Sequence, residues 1–298
     1  MTSETRRLQL FTGKGGVGKS SVVAASALAA ARAGRRPLVV ELGHRATMAT
    51  VFEAPAIGHE PTEVAPGVHA ANIDFDEALV DYVAEHAKVR ALARRIVRGD
   101  ALRRFFHAAP AVSEVVTLRM LERLEEATVR GESRWDPVLV DLDATGHALM
   151  FLSLPEVFAD LATRGPLARL LRGFTALLSD HERTALNLVT LPDELPAQET
   201  RELHAALRAK GSVPLGRLFI NRVPAPPVSE PTRARYAELE RAGWDAEVAL
   251  ARRLESVHER ATAIADRLER ELELPTLRLP VLEPFDLHQL ATHLGGAS

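Results

Sequence analysis

The chain has 298 residues, 46% hydrophobic and 26% charged, with a formal net charge of −3; it is long enough for a full core and not basic enough to be held on nucleic acid by bulk electrostatics. With no cysteine, disulfides, thiolate zinc sites, iron–sulfur clusters and cysteine nucleophiles are excluded together. The longest apolar run, Val22 to Ala31, is mostly alanine and too short and weak to span a bilayer, and Met1 to Arg7 lacks the apolar core of a signal peptide, so a cytoplasmic location without stable membrane insertion is expected.

In chain order, Leu8, Leu10 and Phe11 begin a short apolar strand, and Ser21 to Arg32 is an alanine-rich helix. Between them lies Gly13-Lys14-Gly15-Gly16-Val17-Gly18-Lys19-Ser20, the spacing of a P-loop. Two of only four lysines, against 33 arginines, fall in this stretch. A phosphate cradle needs a compact ammonium inside a ring of backbone N–H groups, a geometry that a planar guanidinium fits poorly. Candidate nucleotide-binding residues are therefore Gly13, Lys14, Gly15, Gly16, Val17, Gly18, Lys19, Ser20 and Ser21. Lys19 would hold the β- and γ-phosphates, and the Ser20 hydroxyl would face Mg²⁺. ATP and Mg²⁺ are the expected ligands.

Pro37 to Leu42 and Val68 to Ile73 read as further strands. From Asp74 to Arg134 there is more sequence than one crossover helix needs, with helical patterns around Glu77 to Val97, Ala101 to His107 and Ser113 to Arg130: an inserted helical layer over 74–134 within one domain spanning 1–298. Pro137 to Leu142 is a buried-type strand closing on Asp141, a carboxylate placed to hold the water shell of Mg²⁺ opposite Ser20. Leu186 to Leu191, Leu215 to Ile220 and Leu277 to Val281 complete the strands. Four prolines in Val223 to Thr232 predict an extended loop, followed by a long helix from Arg233 toward Leu272. The alternation gives an α/β fold with a doubly wound, mostly parallel sheet.

The second lysine, Lys14, makes the loop resemble the deviant Walker A class of P-loop ATPases. Asp141 to Leu152 (D-L-D-A-T-G-H-A-L-M-F-L) resembles the switch II of the ArsA and guided-entry ATPases within that class. Glu41-Leu42-Gly43-His44 sits where that family has switch I, Leu195 to Glu202 resembles its nucleotide-contact helix, Phe219 to Val223 its adenine-reading strand end, and Leu279 to Leu282 its last loop. The resemblance implies that Lys14 reaches across a dimer to the partner's nucleotide and that Glu199 does likewise. It further implies that Asn221, followed by Arg222, reads adenine, that Pro280 and Val281 wall the base, and that His147 orders switch II. Lys14, Lys19 and Glu41 are its catalytic candidates, and Ser20 and Asp141 its metal ligands.

Two departures from the family pattern carry consequences. Glu41 replaces the switch I aspartate that positions and deprotonates the attacking water, so the base is one methylene longer and hydrolysis is expected to be slow. Asp143 and Ala144 stand where the family has alanine and proline. The missing cysteines rule out thiolate binding of arsenite and a zinc clasp between protomers. The expected function is a homodimeric or heterodimeric switch ATPase that couples closure to a hydrophobic or membrane-protein client. The alternatives are a weakly hydrolysing regulatory subunit of a heterodimer and a positioning ATPase of the MinD or ParA kind. A client groove would use Leu102, Phe105, Phe106, Val112, Val115, Val116, Leu118, Met120, Leu121 and Leu124, whose helical spacing fits packing onto the sheet equally well.

Overall fold

The computed structural model describes residues 6–42, 46–87, 110–142, 152–153 and 165–295. Its elements are β1 (Leu8–Thr12), α1 (Lys19–Arg32), β2 (Leu38–Leu42), α2 (Thr47–Val51), β3 (Thr62–Ala65), β4 (Val68–Ile73), α3 (Phe75–Ala87) and α4 (Pro110–Glu126). There follow β5 (Thr128–Val129), β6 (Glu132–Ser133), β7 (Val138–Asp141), α5 (Gly165–Ser179), β8 (Thr184–Thr190), α6 (Glu194–Lys210) and β9 (Leu215–Val223). The described chain ends with α7 (Glu230–Arg233), α8 (Tyr236–Arg241), α9 (Asp245–Leu272), β10 (Thr276–Pro280) and α10 (Leu287–Gly295).

Among the described residues, the main sheet has eight strands in the order β10-β9-β8-β1-β7-β2-β4-β3. Every pairing in it is parallel except β3 with β4 at the edge. The chain leaves β1 toward β2 and β4, returns to insert β7 beside β1, and then builds outward through β8 on the other side. That reversal opens a crevice at the carboxyl ends of β1 and β7, where ligands of doubly wound sheets bind.

Strand residues alternate between two cores, as the period of two requires. Leu8, Leu10, Leu38, Val40, Val138 and Val140 face one layer, packed with α3 to α6 and α9. Phe11, Val39 and Leu139 face the other, packed with α1 and α10. On α4, Val116, Leu118, Met120, Leu121 and Leu124 are all buried in the first core, which decides these five positions in favour of packing. Leu102, Phe105, Phe106 and the side chains of Val112 and Val115 lie outside the described residues.

Three predicted boundaries are corrected. The helix expected to reach Arg130 ends at Glu126, because Arg130 (φ 55°) and Gly131 (φ 84°) form the tight turn of the β5–β6 hairpin; two successive positive φ angles fit the twist of such a turn and stop a helix. The long helix expected from Arg233 is divided: α8 closes at Ala242, Gly243 takes φ 91°, and α9 starts afresh at Asp245. The proline loop also holds one helical turn, α7, with Pro231 in its first turn, the helical position that tolerates proline.

Candidate nucleotide site

α1 opens directly out of the glycine loop. Gly18 is its N-cap with φ 84°, and its first turn holds no acidic residue of its own, so the positive end of the helix stands at the crevice, where an anion is stabilised. A Cβ on Gly18 would lie 2.3 Å from Asn221 Nδ2, and one on Gly13 would lie 2.1 Å from the Val189 carbonyl oxygen, whereas among the described residues nothing lies within 4 Å of a Cβ placed on Gly15 or Gly16. The glycines thus serve two purposes: Gly13 and Gly18 let the loop sit tightly on the sheet, and Gly15 and Gly16 keep side chains off its other side. Val17 anchors the loop from below, buried in the core with Phe219 and Leu279. Such a loop fits a polyphosphate.

Three adjacent parallel strands end together here, with Phe11 and Glu41 both in register with Asp141. Lys19 Nζ lies 2.9 Å from Asp141 Oδ1, and the Ser20 hydroxyl donates to Asp141 Oδ2 at 2.6 Å. Together with Glu41, Leu42, Thr47 and Leu142 they line a cavity of about 50 Å³. A hydroxyl beside a carboxylate, all-oxygen and partly buried, is a donor set suited to Mg²⁺ and its water shell.

Glu41 is placed differently from a poised base. Its Oε1 accepts from Thr47 N at 2.8 Å and its Oε2 from Met48 N at 3.3 Å, so the carboxylate caps the first turn of α2. Burial raises its pKa above 4.5, with Asp141 a smaller contributor in the same direction, while the hydrogen bonds from Thr47 and Met48 oppose the rise. Thr47, which gives Glu41 both a backbone and a side-chain hydrogen bond, escaped the sequence reading. Its only signal is a threonine six positions after the switch carboxylate, at the start of a helix of five residues.

Lys14 and Glu199, both expected to act across a dimer, meet within one chain: Lys14 Nζ donates to Glu199 Oε1 at 2.5 Å. Glu199 is carried on α6, whose other end holds Lys210 against the Ser153 hydroxyl. Asn221, at the end of β9, is buried against the P-loop. Arg222 and Val281 line a cleft of about 690 Å³ at the carboxyl ends of β8 to β10, with Leu191, Pro192 and the α9 face. Pro280 pairs with Val223 beside it. Gly43, His44, Asp143, Ala144 and His147 lie outside the described residues.

A family profile described as anion-transporting ATPase, ArsA type, matches residues 6–165. The chain belongs to this ArsA ATPase family. It is 32% identical to the ATPase BagA of Mycobacterium tuberculosis, over 93% of this chain and 86% of that one. It is also 34% identical to a putative arsenical pump-driving ATPase of Halobacterium salinarum, over 56% of this chain and 26% of that protein. The arsenical pump-driving ATPase of Escherichia coli is 28% identical over 67% of this chain and 37% of its own length. Likeness to the full-length relative therefore runs through nearly the whole ArsA-family chain, while likeness to these pump subunits is confined to part of each.

In this ArsA-family chain, Glu41→Gln is expected to lower turnover by no more than about tenfold, against the 10²–10⁴ typical of losing a general base, because both carboxylate oxygens are engaged by the backbone at the start of α2. A phosphate-release assay at saturating nucleotide measures it. The raised pKa gives a second readout. A carboxyl whose folded pKa lies above its unfolded value adds stability that is present below about 4.5 and lost as pH rises through the folded pKa. The stability of wild type relative to Glu41→Gln should thus increase as pH falls from neutral to 4.5 in paired urea titrations.

Proposed function

We propose that this chain binds Mg·ATP in the P-loop crevice, hydrolyses it slowly to ADP and phosphate, and uses the γ-phosphate to close a pair of chains. The observation that carries the reading is the convergence of Lys19, Ser20 and Asp141 at the start of α1. Mg²⁺ held near Ser20 and Asp141 would neutralise charge on the β- and γ-oxygens. Lys19 would exchange Asp141 for the phosphates, and the α1 amides would fix the chain of oxygens in place. Glu41 keeps the first turn of α2 in position over the cavity.

The output is proposed to be a hydrophobic or membrane-protein client handled by the helical layer of residues 74–134, or a similar ATPase chain in a heterodimer. The buried state of Val116, Leu118, Met120, Leu121 and Leu124 means that client contacts must come from other positions of that layer. Thiolate capture of arsenite has no chemical basis in a chain without cysteine. The Glu41 geometry favours low turnover, which also suits a regulatory subunit.

Isothermal calorimetry tests the core of the reading. Mg·ATP and Mg·ADP should each bind the folded chain with one site per chain, and ATP should bring two chains together in sedimentation. No heat with either nucleotide would end the proposal.

A further inference from the structure

Along α9 the apolar residues Leu250, Leu254, Val257, Ala261, Ile264 and Leu268 follow one another in alternating steps of four and three, the spacing that sets them on one stripe of a helix. The second half of the stripe is used inside the fold: Ala261, Ile264 and Leu268 are buried, the last two in the first core. The first half is not, since Leu250, Leu254 and Val257 are 58%, 46% and 44% exposed. The opposite face of that same half is occupied. Val248 and Glu255 are buried there, Glu255 Oε1 accepts from Arg233 Nε of α7 at 2.6 Å, and the Arg252 guanidinium lies 5.6 Å from the ring centre of Tyr236 on α8. The helix is therefore held from behind with its apolar row turned outward.

We propose that Leu250, Leu254 and Val257 form a docking surface for an acidic amphipathic helix of another protein. The inference is independent of the nucleotide reading and lies apart from the helical layer of residues 74–134. Single exposed leucines are ordinary on a protein surface, but an unbroken apolar row marks a place where something binds. Two turns of such a row, about 10 Å long by the rise of a helix, match a partner that presents its own apolar anchors at i, i+3 or i+4, and i+7. Glu247, at the next step of the repeat toward the start of α9, closes the row with a charge and so limits its length.

The flanks of the row select the partner's charge. With Leu250 and Val257 as d positions and Leu254 as an a position, the g positions beside the open half are Arg253 and Arg260, both exposed. The e positions are Ala251, His258 and Ala265, and His258 Nδ1 is taken up at 2.8 Å from the Pro224 carbonyl oxygen. One flank is thus positive and the other carries no carboxylate. A second copy of this chain fits poorly. Antiparallel pairing brings the two g flanks together and sets arginine against arginine, while parallel pairing sets g against an e flank with no acid to offer. A helix with glutamates or aspartates beside its anchors meets Arg253 and Arg260 with opposite charge.

Fluorescence anisotropy on the intact chain tests this with two labelled three-heptad peptides, each with leucine at a and d, one with glutamate and the other with lysine at e and g. The acidic peptide should bind at least roughly tenfold more tightly than the basic one, and its affinity should fall as salt is raised. Leu254→Asp, at an exposed position and checked for folding by its melting curve, should weaken the acidic peptide by about tenfold or more. Arg253→Glu combined with Arg260→Glu should reverse the preference between the peptides. No binding of the acidic peptide, equal affinity of wild type for both, or undiminished binding by Leu254→Asp would overturn the proposal. Two controls address rival occupants: vesicles of phosphatidylcholine and phosphatidylserine, and sedimentation of the chain without nucleotide. Vesicle binding or self-association that Leu254→Asp abolishes would overturn it in favour of a membrane surface or a second copy.

Discussion

Lys19→Met should weaken Mg·ATP binding by at least about a hundredfold, because it deletes charge-assisted hydrogen bonds to the β- and γ-phosphates, each worth roughly 1.5–3 kcal/mol. Methionine keeps most of the side chain's length and apolar stem, so the loss isolates the ammonium. The ligand-free protein should respond as well. Lys19 and Asp141 lie 2.9 Å apart with side chains only 13% and 6% exposed, and removing the cation leaves a largely buried carboxylate with the Ser20 hydroxyl as its remaining close donor. Stability should fall by about 1–3 kcal/mol, the desolvation cost of a stranded polar group. Calorimetry and urea unfolding on the same preparation read both effects. Binding within threefold of wild type would show that Lys19 does not face the phosphates.

The P-loop was legible because its requirement is local: glycines where the backbone must turn or approach closely, and a lysine at the head of a helix. The central strands were legible because parallel strands buried on both faces read as apolar runs, and Val68 to Ile73 comes out with the predicted limits. β3 was missed since an edge strand of sequence T-E-V-A, half exposed, carries no such run. The division of the last long helix hangs on one glycine in an otherwise continuous helical pattern. At the candidate site, the sequence names residues but not their engagements. No pattern in sequence says that both oxygens of Glu41 turn to backbone amides six and seven positions on. Nor does any local signal join Asn221 to Val17, because a contact of that kind is fixed only when the sheet has assembled.

Lys14→Ala is expected to leave nucleotide affinity of the single chain within about threefold of wild type and to lower turnover by roughly 10³, the scale on which a cation supplied across an interface acts on phosphoryl transfer. The cost of such a move to Lys14 is small. Its partner Glu199 holds it at 2.5 Å, but the two side chains are 36% and 33% exposed, and an ion pair in such a setting contributes only about 0–1 kcal/mol. A partner's triphosphate, with several negative charges, can displace one carboxylate at that cost. Glu199→Gln should loosen the hold and shift half-maximal turnover to lower protein concentration. Turnover measured against protein concentration separates the cases: a trans-acting Lys14 gives a wild-type curve that steepens with pairing and a Lys14→Ala curve that stays flat. If Lys14→Ala instead loses binding and turnover in parallel at every concentration, the lysine acts on its own chain's phosphates, and the contact with Glu199 is only a resting place on the surface of α6.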